Sequence, residues 1–500
     1  MSDTNDDDRT SRVDRRTLLG AVGGAGATAL AGLPSVLAQT ESGPDESGSD
    51  TTESGECETD ESWESTAEWT VDAARQIERT EANTAPVVGD LDEVAPNLHV
   101  WDSWPLRNRD GSVACIDGYS VLFSLTSADA LLPGKRHDVA EIRYFYSKDG
   151  QNWQLGGPVF IPGRPKGNRQ WASSAVYDQD TGEVFMFYTA TGRESVVENS
   201  TPPAEDLTYE QRLALAEGVT VETSSTGVDF EGQWDHSIIL TADGDLYQTM
   251  DQSGDGIIYS FRDPWYFEDP ADGTQYLIFE GNTPIDDGET PCESKALDDG
   301  DYLSGVAAGG AKFNGSVGIA VSAADDDMSE WELRPPLLDA ICVNQQLERG
   351  NVVYTNDKYY LFFDSHKFTF AEGIDGPDGM YGFVADSLHG DYEPLNGGGL
   401  VIGNPDEEPF QTYSWMPVPY GEGKIAVTSY DNYNDLPKDT DLRNLRNLSR
   451  EAQQAAFGGT LAPTLILTLD GTEREIVEEK PPCFIPSACS VPALDCNEQC

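Results

Sequence analysis

Val100-Trp101-Asp102-Ser103-Trp104-Pro105 sets a carboxylate between two indoles where a strand runs out into a loop. Aromatic faces hold sugar rings, and a carboxylate beside them can attack or steady a developing oxocarbenium ion. A packed corner whose Asp caps a turn has the same composition, so the reading depends on what else the chain carries. Two further carboxylate motifs decide it. Phe261-Arg262-Asp263-Pro264 precedes an aromatic-rich hairpin, and Gln346-Leu347-Glu348-Arg349-Gly350-Asn351 leads into a strand. Retaining glycosidic chemistry needs one carboxylate as nucleophile. A second, about 5 Å away, gives a proton to the leaving oxygen and later takes one from the acceptor. Asp102 and Glu348 suit these roles, with Asp263 gripping sugar hydroxyls.

Outward from these motifs the chain is a succession of short β-type runs, at residues 120–125, 141–147, 183–190, 275–281, 316–322, 351–365, 380–386, 424–430 and 464–469. Several form hairpins around Gly, Asn or Asp turns, Asn356-Asp357 among them. Helical periods are scarce, the clearest at 208–217 and 441–457. The pattern predicts one large all-β domain, a sandwich, barrel or propeller, and periodicity does not choose among them.

Acidic residues outnumber basic ones 89 to 31, for a formal charge of −58. The charge is spread along the chain rather than gathered in blocks, which fits a salt-adapted surface better than an acidic domain built for a basic partner. Nucleic acid is excluded as a partner on the same ground. Asp14-Arg15-Arg16-Thr17-Leu18-Leu19, followed by a Gly/Ala-rich run to Leu37, has the layout of a twin-arginine export signal over residues 1–38. Residues 39–66 read as an acidic disordered leader, since 41–64 hold ten acidic and no basic side chains. The expected mature protein is secreted, monomeric and free of the membrane after signal cleavage. Eight cysteines agree with an oxidising destination. The four in a tail spanning 478–500 most simply staple that tail, as they lack the Cys-x2-Cys knuckle and neighbouring His of a zinc site.

VWDSWP, RDP and the Glu348-Arg349 motif stand in the order found in glycoside hydrolase family 68, the fructansucrases, which the chain resembles over residues 67 to 475. Arg169-Gln170-Trp171, Leu277 to Asn282, Asn314-Gly315 and Tyr381-Gly382-Phe383-Val384 extend the resemblance. It implies a five-bladed β-propeller, placed at 67–477, with a funnel-shaped central pocket and no cofactor. Asp102 would be the nucleophile on the fructosyl anomeric carbon, Asp263 the transition-state stabiliser and Glu348 the general acid/base. Trp101 and Trp171 would form floor and wall, with Arg262, Gln346, Arg349, His366 and Tyr413 around sucrose. The implied reaction passes fructose from sucrose to fructan, sucrose or water, with levan as the expected product and inulin as the alternative.

Departures from the family pattern narrow these expectations. Ala172 stands where the family usually has a Ser bonding the nucleophile, so that bond must come from Ser173, from water, or be absent. Gly350 replaces a Pro and is expected to loosen the loop behind the acid/base. Gln346 and His366 occupy places where many Gram-positive enzymes carry Glu and Arg, which brings the Gram-negative branch nearer. Gram-negative relatives also resemble this chain in placing a cysteine just before the acid/base. That implies a Cys292–Cys342 bridge in place of the calcium that braces many Gram-positive relatives. A hydrolytic β-fructofuranosidase is a rival, although its usual Asn-Asp-Pro-Asn nucleophile motif is absent. A non-catalytic sugar-binding propeller is disfavoured by the presence of all three carboxylates.

The charge makes a direct prediction. At molar salt the Debye length falls to about 3 Å and carboxylate repulsion is screened, so the melting temperature should climb from dilute buffer to molar sodium chloride. A flat response in thermal melts would contradict a salt-adapted surface.

Overall fold

Strand Leu98–Asn108 carries the VWDSWP motif and opens the first of five antiparallel sheets. The computed structural model describes residues 66–192, 208–253, 258–285, 313–324, 327–437, 440–482, 484–486 and 489. The export signal and most of the leader therefore lie outside the described residues, as do Cys57, Cys292, Cys483, Cys496 and Cys500.

Each sheet starts with an inner strand. These are Leu98–Asn108 in blade I, Arg169–Tyr177 in II, Arg262–Glu268 in III, Glu348–Thr355 in IV and Thr412–Pro419 in V. Outer strands follow in chain order, each antiparallel to the last, so Gln275–Asn282, Gly315–Ser322 and Trp331–Asp339 complete blade III. Blades I and II are joined further by parallel pairing of Leu106 to Asn108 with Ala175 to Tyr177. The inner strands neighbour one another in the cycle I, II, III, IV, V and back to I. This is a closed five-bladed propeller.

Blades packed face to face explain why so many strands read as unbroken apolar runs rather than alternating ones, since both faces are buried. Val176, Phe187 and Leu215 of blade II meet Phe261, Leu277 and Phe279 of blade III. Ile278, Val317 and Leu338 of blade III meet Val352, Leu361 and Phe363 of blade IV. At the amino-terminal side, Ala67–Glu68 adds a parallel edge to Trp331–Asp339. Trp69, fully buried, sits among Phe363, Phe370, Tyr381 and Phe383. Burying one such aromatic stabilises by about 1.5–3 kcal/mol, enough to dock the incoming chain onto blades III and IV.

Two expectations are corrected here. Of residues 208–217, read as helical, 211–217 belong to strand Gln211–Ser224, the third of blade II. The helical reading of 441–457 survives as a 3-10 turn, Leu442–Asn447, and a helix, Arg450–Ala456, capped by Ser449 accepting from the Ala452 amide. Gly350 is not in a loop. It lies within the inner strand of blade IV, and a Cβ there would stand 2.8 Å from Val317 Cγ1, so glycine lets blades III and IV close up.

The ring closes between blades I and V. Strand Glu473–Pro482 runs past residue 477 as the edge of blade V, and the chain then crosses to blade I. Ile485 is buried among Val100, Leu122 and Phe145 of blade I and Val418 and Ile466 of blade V, its amide donating to Gly150 O at 2.8 Å. Cys489 bonds Cys115 across 374 residues with a Cα separation of 5.5 Å, within the ordinary range. The tail cysteines therefore do not staple only one another. Replacing both Cys115 and Cys489 by Ser should lower stability by about 2–4 kcal/mol, read as a fall in the calorimetric midpoint. A midpoint unchanged within about 1 °C would show that the bond does not hold the ring shut.

Candidate active site

All five inner strands are irregular at the same level. Their pairing with the next strand shifts register between Trp101 and Ser103, Trp171 and Ser173, Arg262 and Trp265, Glu348 and Asn351, and Tyr413 and Met416. At four of these bulges a non-glycine residue takes the left-handed conformation: Asp102 (φ 46°), Asp263 (63°), Arg349 (55°) and Ser414 (60°). Each costs on the order of 1–3 kcal/mol, and such strain concentrates at functional sites. The fifth bulge holds Ala172, without a positive φ.

The bulges gather charge from three blades. Arg262 is buried and donates from Nη2 to Glu348 Oε1 at 3.0 Å and to Glu280 Oε1 at 3.1 Å, while its Nε lies 2.8 Å from Glu280 Oε2 and 3.7 Å from Asp263 Oδ2. Glu348 Oε2 accepts from the Tyr413 hydroxyl at 2.6 Å. Arg349 bonds the carbonyls of Ser103 (2.9 Å) and Ser414 (3.3 Å), tying blade IV to blades I and V. The Asp263 amide donates to Thr189 Oγ1 at 2.8 Å, anchoring it to blade II.

Burial pushes the Asp102 carboxyl up from its usual range, against the pull of Arg349, Ser414 and Arg136. Ser414, whose Oγ accepts from Arg349, is the hydroxyl residue that draws the Asp102 carboxyl down. The Ser173 hydroxyl donates instead to the Ser174 carbonyl. Asp263 is raised by burial, opposed by Arg262 and reinforced by Glu348 and Asp102. Asp364, cross-strand from Glu348, is fully buried with neither carboxyl oxygen bonded, and burial holds it far above the carboxylate range.

Trp101 and Trp171 flank His137, at 5.6 and 5.9 Å between ring centres, and Trp171 Nε1 donates to the His137 carbonyl at 3.0 Å. The Arg136 guanidinium sits 5.5 Å over Trp101. Burial, then Arg136, Arg262, Arg169 and His366, keep His137 neutral. His366 lies flat on Tyr413, 3.7 Å apart and 4° from parallel. The structure therefore brings together Asp102, Asp263, Glu348, Trp101, Trp171, Arg262, Arg349, His366 and Tyr413. Gln346 is buried and is held through its backbone, its amide on Asn344 Oδ1 and its carbonyl on Ser365 Oγ. Cys342 is buried and disulfide-bonded. Among the described residues no group of three or more His, Cys, Asp or Glu is placed to hold a metal ion.

Sequence reasoning missed Arg136, His137, Glu280, Asp378 and Ser414. The Lys135-Arg136-His137 cluster was detectable as a basic island in so acidic a chain. Ser414 carries no signal beyond its neighbours, because its importance arises from a bulge.

A family model described as Levansucrase/Invertase matches residues 59–482. A levansucrase of Pseudomonas savastanoi pv. glycinea is 36% identical over 435 residues, covering 83% of this chain and 91% of that protein. Among solved structures, an inulosucrase of Halalkalicoccus jeotgali bound to kestose is 47% identical, with a TM-score of 0.76 over 85% of this chain and 98% of that one. The catalytic domain of a Microbacterium saccharophilum β-fructofuranosidase is 31% identical, with a TM-score of 0.71 over 85% and 94%.

The Arg262 pairs yield a stability prediction. Arg262→Ala leaves Glu280 buried without its counter-charge and should cost about 3–5 kcal/mol. Arg262→Met combined with Glu280→Gln should cost clearly less. Equal losses for the two variants in denaturant unfolding would show that charge pairing is not what Arg262 supplies.

Proposed function

Because the chain belongs to the levansucrase/invertase family of glycoside hydrolases, we propose that it cleaves sucrose and transfers the fructosyl group to fructan, sucrose or water by two displacements. Asp102 attacks the fructosyl anomeric carbon while Glu348 protonates the departing glucose oxygen, leaving fructose covalently on Asp102. Glu348, now a base, takes the proton of the acceptor hydroxyl, which attacks the same carbon and releases Asp102. Asp263 holds fructosyl hydroxyls as positive charge develops at the ring. One observation supports this most: three carboxyl groups from three blades converge, with Arg262 bridging two of them and Arg349 and Ser414 favouring the charged form of the third.

Trp171 supplies apolar surface against which a sugar ring packs, while the fully buried Trp101 supports the site through His137 and Arg136. The greater identity to the inulosucrase than to the levansucrases favours an inulin-type bond as a second reading of the product. The β-fructofuranosidase likeness leaves water as a competing acceptor. Export through a twin-arginine signal and a salt-adapted surface belong to the same proposal, supported by the Arg15-Arg16 motif and the charge of −58.

Asp102→Ala should abolish glucose release from sucrose, and Glu348→Gln should lower it by at least about 10²-fold. Normal turnover in Asp102→Ala would end the proposal. Linkage analysis of polymer made at high sucrose separates the readings: glucose and fructose alone mean hydrolysis, and a polymer reports levan or inulin directly.

A further inference from the structure

Glu348 has both oxygens occupied, one by Arg262 and the other by the Tyr413 hydroxyl. Tyr413 is itself held from one side. His366 stacks face to face on it, and Phe368 stacks on the far face of His366 at 4.9 Å and 16°. A stack alone leaves an imidazole free to turn in its own plane. What fixes the ring is Asp378, whose Oδ2 lies 2.8 Å from His366 Nδ1 and whose Oδ1 accepts the Lys367 amide at 2.7 Å. Asp378 is fully buried at the start of strand Gly379–Ala385, and both its oxygens are taken by these donors.

We infer that Asp378 is a positioning residue for the acid/base: its carboxylate fixes the tautomer and in-plane angle of His366, His366 clamps the Tyr413 ring, and Tyr413 aims Glu348. This rests on the reading of Glu348 as acid/base. A carboxylate accepting at Nδ1 requires the proton there and leaves Nε2 as the exchangeable position.

The charge state follows from what faces the imidazole. Burial alone lowers its proton affinity, but Asp378 first and Glu348 second outweigh it and hold the pKa above the ordinary value, with Arg136 of blade I opposing. His137, also from blade I, is held neutral. On its own loop Lys367 pairs with Asp375 at 3.4 Å, and from blade V Arg443 approaches Phe368 rather than His366. A protonated His366 against the phenol ring strengthens the Tyr413 hydroxyl as a donor to Glu348. As pH rises through the raised pKa this charge is lost from Nε2, and with it the strengthening of the Tyr413 donor, while the Nδ1 bond to Asp378 keeps the ring in place.

The test uses the full chain with sucrose, measuring kcat and KM for glucose release from pH 5 to 9. Asp378→Asn keeps the size but removes the charge and turns an amide donor against one of two donors. It should lower kcat about tenfold or more, by analogy with lost partners of ligand histidines, move KM less, and shift the alkaline limb to lower pH. Asp378→Glu should recover part of kcat. In a His366→Gln background, Asp378→Asn should add little, because the effect travels through the imidazole. Unchanged kcat and limb in folded Asp378→Asn, or equal losses with and without His366, would overturn the inference. Glu348→Gln run in parallel keeps the two readings apart. If it retains turnover, the acid/base assignment fails; if it is inactive while Asp378→Asn is normal, only the positioning role fails. Should Asp378→Asn not fold, His366→Gln alone must still displace the alkaline limb and lower kcat, and an unchanged limb and kcat would count against the inference.

Discussion

A regular strand sends successive side chains to opposite faces, so a blade standing radially presents its residues to the neighbouring blades and not to the central axis. The bulge at the same level of every inner strand removes that restriction. One inserted residue breaks the alternation and tilts the strand locally. Asp102, Asp263, Arg349 and Ser414 sit at these breaks in the left-handed conformation. That backbone cost is borne by the packing between blades, where apolar side chains from adjoining sheets interlock. The scaffold is rigid so that the four bulges can be strained.

Charge at the axis is the second constraint. Asp102, Asp263, Glu280 and Glu348 approach one another with little solvent between them, an arrangement that would neutralise by protonation without guanidinium groups beside it. Arg262 serves three of these carboxyls and Arg349 links three blades through backbone carbonyls. Arg is suited to this because its forked, permanently charged group reaches several acceptors at once. Asp364 shows the other outcome: a carboxyl beside the same cluster, with no donor of its own, whose proton affinity burial raises well above the usual carboxylate range.

The strands were legible in the sequence because both faces are buried, which leaves long runs of Val, Ile, Phe and Tyr between turns. The misread segment at 208–217 shows where this fails. Leu213-Ala214-Leu215-Ala216 combines strong helix formers, yet the two leucines face blade III and the two alanines face the other way, a period of two imposed by the tertiary environment. The three carboxylates were legible through their motifs and Arg262 and Arg349 through adjacency to them. The bulges were not, since Asp, Arg and Ser are unremarkable letters and only the pairing register reveals their conformation. Nor does sequence place Asp378 beside His366, because the twelve-residue separation carries no period linking them.

The closure between blades I and V has a consequence for the order of assembly. Asp102 stands on the first blade and Ser414 on the last, Arg349 joins the two at Ser103 and Ser414, and the blades are clasped by Ile485 and by Cys489 reaching back to Cys115. Contacts so distant along the chain form late, because the loop they close must first be folded. Four complete blades would already carry Asp102, Asp263 and Glu348, yet Glu348 would still lack the Tyr413 phenol and Arg349 the Ser414 carbonyl. The full set of contacts around Glu348 and Arg349 therefore arrives only with the last blade in the chain.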